Sequence, residues 1–235
     1  MVNDLLIGMA GSGGDGIVSA GESLIAAAAA DGYYAILTKS FGSQIRGGES
    51  SCRLRLSTRP VFNPGGTLDV AVALNWPDFL RFGAELPVGG ETVVLYERDT
   101  GVAPDRLPLE AVTPAEVLAV PIGEIARKTT GTDRAKNIVV LGLLAGWFGI
   151  GRDAIRKGIR KRFGKKGAKL LEATELAFAA GIAYTAEHPL RRPVAFAGPA
   201  PTTGGKLLTD GNEMCAGAAI FAGCEVFGGY PITPA

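Results

Sequence analysis

The sequence predicts an α/β fold, a mainly parallel sheet with flanking helices, followed by the N-terminal piece of a second α/β domain. Three observations carry that expectation. Short apolar runs alternate with helical segments from the first residues onward. The run Leu68–Leu74 is nearly all apolar, as a strand buried on both faces must be. A Pro- and Gly-rich stretch then separates the last long helix from a new helix-and-loop opening near the C-terminus.

Each element has a local reason. Leu5–Met9 is an apolar run that ends in the glycine loop Gly8–Gly16. Ile17–Ala30 is Ala-rich and helical, and Gly32 is placed to stop it at the position after the cap. Tyr34–Thr38 is the second strand. Ser40–Glu49 is a polar loop. In Ser51–Leu56, Cys52, Leu54 and Leu56 alternate with Arg53 and Arg55, the pattern of a strand with one wet face. Pro77–Phe82 reads as a short helix and Thr92–Tyr96 as a β-rich run. After Ile122 helices dominate: Ala135–Phe148 is apolar enough to pack on a sheet, and Arg152–Phe163 and Ala168–Ala186 form a closing pair.

Residues 1–187 are therefore expected to form one domain. Residues 188–206, with Pro189, Pro193, Pro199 and Pro201 before Thr202-Thr203-Gly204-Gly205, form a linker. Residues 207–235 open a second domain that continues past Ala235.

Composition excludes several classes. The 235 residues are 47% hydrophobic and 20% charged, enough apolar material for a sizeable core. The formal net charge of +1 steers the chain to neither nucleic acid nor a membrane surface. No apolar run approaches the roughly 18 residues of a membrane span, and the N-terminus lacks the basic-then-apolar form of a signal peptide, so a cytoplasmic location is expected. Three scattered cysteines make no disulfide framework. Without a Cys-x-x-Cys pair, no metal or iron–sulfur cluster is expected on this chain alone. His188 is the single histidine and sits in the linker, which argues against a Ser-His-Asp or Cys-His arrangement.

Three segments could carry chemistry. Gly11-x-Gly13-Gly14-x-Gly16 has dinucleotide-loop spacing between a strand and a helix, where backbone N–H groups favour an anion. The acid that a nicotinamide site needs at the end of the second strand is replaced by Thr38-Lys39, and Asp15 places a carboxylate beside any phosphate. A tight packing turn fits the same residues. Phe41–Glu49 sets Arg46 between glycines, suited to an anion, to another chain, or to a plain surface loop. Residues 152–169 hold nine Lys or Arg against Asp153 alone, a pattern open to nucleic acid or an acidic partner but better matched to a solvated helical face, because no aromatic residues interleave.

These motifs in this order resemble the gamma domain of 2-oxoacid:ferredoxin (or flavodoxin) oxidoreductases fused to the start of their alpha domain. The likeness rests on Gly11–Ala20, Gly42–Gly48, Cys52–Ser57 with Arg59-Pro60-Val61, Gly211-Asn212-Glu213, Gly217-Ala218, Ala222-Gly223-Cys224 and Tyr230-Pro231-Ile232-Thr233-Pro234. It implies oxidative decarboxylation of a 2-oxoacid by thiamine diphosphate with Mg2+, with coenzyme A accepting the acyl group. Electrons would pass through [4Fe-4S] clusters to ferredoxin. The thiamine-binding beta subunit, and an assembly of two heterodimers, would complete the site, so the chain alone would be inactive. Gamma-before-alpha order resembles the 2-oxoglutarate-type large subunit, with pyruvate the next choice. Thr233 would bind the substrate carboxylate, Tyr230 and Ile232 would shape the pocket, and Gly11, Gly13, Gly14, Gly16 and Arg46 would face coenzyme A or a subunit interface. A non-catalytic nucleotide-binding or scaffolding module is the rival reading.

Overall fold

The computed structural model describes residues 2–42, 48–109, 112–194, 196–199 and 207–229. The chain divides into two compact units, Met1–Thr202 and Thr203–Ala235.

Among the described residues the first unit holds one six-stranded sheet. Its strands are β1 (Asp4–Gly11), β2 (Tyr34–Phe41), β3 (Ser50–Ser57), β4 (Val70–Ala73), β5 (Val93–Glu97) and β6 (Glu116–Val120). The order across the sheet is β2-β3-β1-β4-β5-β6. β1, β4, β5 and β6 run parallel, while β3 lies antiparallel between β1 and β2. The sheet is thus mainly parallel with an antiparallel insertion.

Burial on both faces explains the apolar runs. In β1, Leu5, Ile7 and Met9 enter one core while Leu6 and Ala10 enter a second on the opposite face. β4 and β5 divide in the same way: Val70, Val72, Val93 and Leu95 to one side, and Ala71, Ala73, Val94 and Tyr96 to the other. β3 buries Cys52, Leu54 and Leu56 and turns Arg53 and Arg55 to the other face. There Arg55 is held by Asp4 at 2.9 and 2.6 Å.

The first core lies under α1 (Ile17–Ala30), α3 (Ile122–Thr130), α4 (Lys136–Phe148), α5 (Arg152–Phe163) and α6 (Ala168–Glu187). The second lies under the short α2 (Trp76–Arg81) and the segment around Val102–Leu109. α1 ends as expected at Gly32. Its φ is +91°, Gly32 N donates to Ala29 O and Tyr33 N to Ala28 O, the paired bonds that close a helix C-terminus.

β6 has no counterpart among the elements expected from sequence. Glu-Val-Leu-Ala-Val is short, carries an acid, and runs directly into a proline and a helix. Its identity as a strand comes from pairing with β5.

Part of the segment expected as linker packs on the first unit. Leu190 is buried, the Trp147 indole donates to His188 O at 2.8 Å, and both oxygens of buried Glu116 accept from Arg191 N. Phe196 stacks on Tyr33 with ring centroids 4.7 Å apart, and Ala197 N donates to Val2 O. In the second unit, Asp210 and Glu213 form a capping box that starts α7 (Gly211–Phe221), none of whose residues is buried.

α4 and α6 approach through glycine. A Cβ added at Gly142 would collide with Phe178 O and lie 3.0 Å from Gly181 Cα. Gly158, exposed in α5, has open space around it. Gly142→Ala should therefore destabilise the chain by about 1–3 kcal/mol in urea unfolding, since backbone must move. Gly158→Ala should stabilise it by about 1 kcal/mol. Equal effects from the two would refute the close-packing account.

Candidate functional site at the carboxyl edge of the sheet

In an open sheet of this kind, ligands bind beyond the carboxyl ends of the strands where successive crossovers leave in opposite directions. Here that point lies between β1 and β4. The chain leaves β1 toward β2 on one side, and leaves β4 toward β5 on the other. The glycine loop follows β1 and Asn75 follows β4, so both flank the switch point.

Gly11 ends β1 and is buried, Gly13 and Gly14 are exposed in the turn, and Gly16 caps α1 with φ +76°. A Cβ at Gly16 would strike Asn137 at 2.6 Å, so glycine is required there by both conformation and space. No side chain caps α1. One loop amide already has an anion. Ser12 N donates to Asp15 Oδ2 at 2.9 Å, and Lys136 Nζ lies 3.6 Å from the same carboxylate. The loop therefore carries an internal carboxylate with its own counter-cation.

Around it stands a polar network with no signature in the sequence motifs. Ser12 Oγ donates to Asp78 Oδ2 at 2.6 Å, and Asn75 Nδ2 donates to Ser12 Oγ and to Asp78 Oδ2. Asn75 Oδ1 accepts from Asp78 N and caps α2. Across the edge, buried Glu97 accepts from Gly123 N at 2.7 Å and from Asp99 N at 3.2 Å. Glu97, Asp99, Gly123, Arg127 and Lys136 line a cleft of about 270 Å³. The available signal was positional: Ser12, Asn75 and Glu97 each stand at or just past the end of a parallel strand.

Lys39, where a nicotinamide site needs an acid, pairs with Glu22 at 3.1 Å. All nine cations of residues 152–169 are exposed; Arg160 pairs with Glu175, and Arg162 reaches Ser19 on the first turn of α1. Glu49, at the end of the Gly42–Glu49 loop, pairs with Arg81 at 2.7 Å. Its carboxyl is held below the usual range by a backbone hydrogen bond and then by Arg81. Arg46, Tyr230, Ile232 and Thr233 lie outside the described residues. Among the described residues, no group of three or more His, Cys, Asp or Glu is placed to hold a metal ion. No helix there is long and apolar enough to cross a membrane.

Together these features define a doubly wound α/β domain with a polar crevice at its switch point. The sequence model of the pyruvate ferredoxin/flavodoxin oxidoreductase family matches residues 7–184, and the chain belongs to that family. A relative, ketoisovalerate oxidoreductase subunit VorA of Methanothermobacter thermautotrophicus, is 32% identical over 188 residues, 79% of this chain. The chain spans only 37% of that relative's length. Among solved structures, a 2-oxoglutarate:ferredoxin oxidoreductase from Magnetococcus marinus, with 2-oxoglutarate, coenzyme A and succinyl-CoA bound, superposes with a TM-score of 0.73 at 28% identity. That match covers 85% of this chain and 34% of the other. The gamma subunit of a keto/oxoacid ferredoxin oxidoreductase from Geobacter sulfurreducens aligns at TM-score 0.59 and 25% identity, over 79% of this chain and 98% of its own.

Burial pushes the Cys52 thiol up to about 12, so it stays protonated at neutral pH. Cys215 and Cys224 are exposed. An aromatic disulfide reagent should titrate two thiols of the folded chain rapidly and the third only in denaturant. Rapid reaction of all three would contradict the burial of β3.

Proposed function

We propose that the chain is the gamma-type domain, joined to the opening of the alpha-type domain, of a thiamine diphosphate-dependent 2-oxoacid:ferredoxin oxidoreductase. The complete enzyme converts a 2-oxoacid and coenzyme A to acyl-CoA and CO2 and passes two electrons to ferredoxin. The observation that carries the reading is the family match over residues 7–184, continued in sequence by the Pro-rich segment and Tyr230–Pro234. In this reading residues 1–187 are the gamma-type domain, 188–206 the connection and 207–235 the alpha-type opening.

Thiamine diphosphate, when bound, supplies the carbanion chemistry. With its Mg2+ it belongs to the junction with a beta subunit, and the [4Fe-4S] clusters to partner or further domains, in a cytoplasmic dimer of heterodimers. The chain's own part is to bind and orient. The Thr233 hydroxyl, between prolines, is preorganised to donate to the substrate carboxylate, so little ordering entropy is lost on binding. Tyr230 and Ile232 shape the pocket around it. The glycine loop suits an anion such as the coenzyme A pyrophosphate. α1 lacks a side-chain cap, and Lys136 and Arg162 stand beside its start. Arg46 adds a cation on a glycine-flanked loop.

2-Oxoglutarate is the preferred substrate and pyruvate the next. The likeness to an enzyme named for 2-oxoglutarate supports the first choice. A relative named for ketoisovalerate makes the comparison among 2-oxoacids the decisive assay. The complete complex, given each 2-oxoacid with coenzyme A and a viologen acceptor, should reduce the acceptor fastest with 2-oxoglutarate. No reduction with any 2-oxoacid would end the proposal.

Two substitutions in the complete enzyme test the assigned roles. Thr233→Val should lower kcat/KM for the 2-oxoacid about 10- to 100-fold, the worth of one hydrogen bond to a charged group. Arg46→Ala should raise KM for coenzyme A about tenfold and leave thiamine binding intact. An unchanged coenzyme A dependence removes Arg46 from the site.

A further inference from the structure

On an exposed helix, like charges three or four residues apart repel, and stable surface helices intersperse the signs. α5 does the opposite. Arg152, Arg156 and Arg160 follow one another at four-residue steps, and Lys157 and Lys161 do the same. Asp153 is the only acid in the helix. Cations in its last turn suit the helix C-terminus, but that does not account for those of the middle turns.

The charge continues past the helix. Lys165 and Lys166 stand in the turn Gly164–Lys166, and Lys169 lies at the start of α6. All nine cations of residues 152–169 are exposed. Among the described residues, Arg160 alone of the nine has a carboxylate within ion-pair distance, Glu175 at 2.5 Å. The whole chain has a net charge of only +1, so the remainder is net negative.

Two exposed leucines adjoin these cations. Leu170 follows Lys169 and is 45% exposed. Leu176, two turns beyond Lys169 on the same face of α6 and next to Glu175, is 52% exposed. Apolar side chains rimmed by charge are the make-up of a protein contact. Nucleic acid fits less well. Phe163, the one aromatic residue in the stretch, is half-buried with the Arg162 and Lys166 cations 5.7 and 5.5 Å from its ring centre. No ring stands free to stack on a base. A long phosphate backbone would also run off the patch onto a remainder of its own sign.

We propose that α5, the turn after it and the first half of α6 form a docking face for an acidic surface of another protein. Carboxylates of the partner meet the α5 cations, and its apolar side chains cover Leu170 and Leu176. The proposal does not depend on the reaction proposed above.

The test is nuclear magnetic resonance of the 15N-labelled 235-residue chain in about 0.15 M salt. Three probes of matched charge are titrated: a helical peptide of Glu and Leu, a peptide of Glu alone, and a short DNA duplex. The Glu–Leu peptide should bind saturably, move the backbone signals of α5 and early α6, and bind about fivefold tighter than either other probe. Combining Arg156→Gln, Lys161→Gln and Lys165→Gln should weaken that binding about tenfold. This variant should unfold at the same or a higher urea concentration than the parent, because it relieves repulsion, so lost binding is not lost folding. Leu170→Ser with Leu176→Ser should bring the two peptides level. Tighter binding of the duplex would make the face a nucleic-acid site and overturn the proposal. So would equal affinity of the parent for the two peptides, undiminished binding in the triple variant, or no saturable binding.

Discussion

The enclosure of β1 governs where this domain can carry chemistry. The strand is hydrogen-bonded on one side to an antiparallel neighbour and on the other to a parallel one, and it is buried on both faces. A strand so enclosed has no tolerance for a polar side chain until it leaves the sheet. The first residues free to carry chemistry are therefore those at Ser12 and beyond. The same geometry places Asn75, just past the matching end of β4, within hydrogen-bonding distance of Ser12. The polar crevice is a product of strand termination rather than of a contiguous motif.

That distinction separates what could be read from the sequence and what could not. The two-sided strands were legible because burial on both faces leaves uninterrupted apolar runs. β3 was legible as a half-wet strand from the alternation of Cys52, Leu54 and Leu56 with two arginines. Its antiparallel insertion between β1 and β2 was not, because side-chain alternation has no direction. β6 escaped notice because its pairing with β5, not its composition, makes it a strand. The network of Ser12, Asn75, Asp78, Glu97 and Lys136 draws on four separate segments, and no local spacing announces it.

Spacing alone makes the glycine loop look like a phosphate cradle, but its energetics differ. Asp15 donates nothing to an incoming phosphate. It occupies a loop amide and is answered by Lys136. An anion arriving there would have to displace Asp15 or share Lys136 with it. In the resting chain one loop amide is thus occupied by Asp15, while the start of α1 has no side-chain cap. The strict need for glycine at position 16 comes from φ and from Asn137, without reference to a ligand.

The docked segment of residues 188–199 changes where the first unit ends in physical terms. A protease or a truncation that removed everything after Glu187 would strip the stacked ring from Tyr33 and the acceptor from the Trp147 indole. It would also leave the Glu116 carboxylate buried without its donor. A cut placed beyond Pro199 would spare all three contacts.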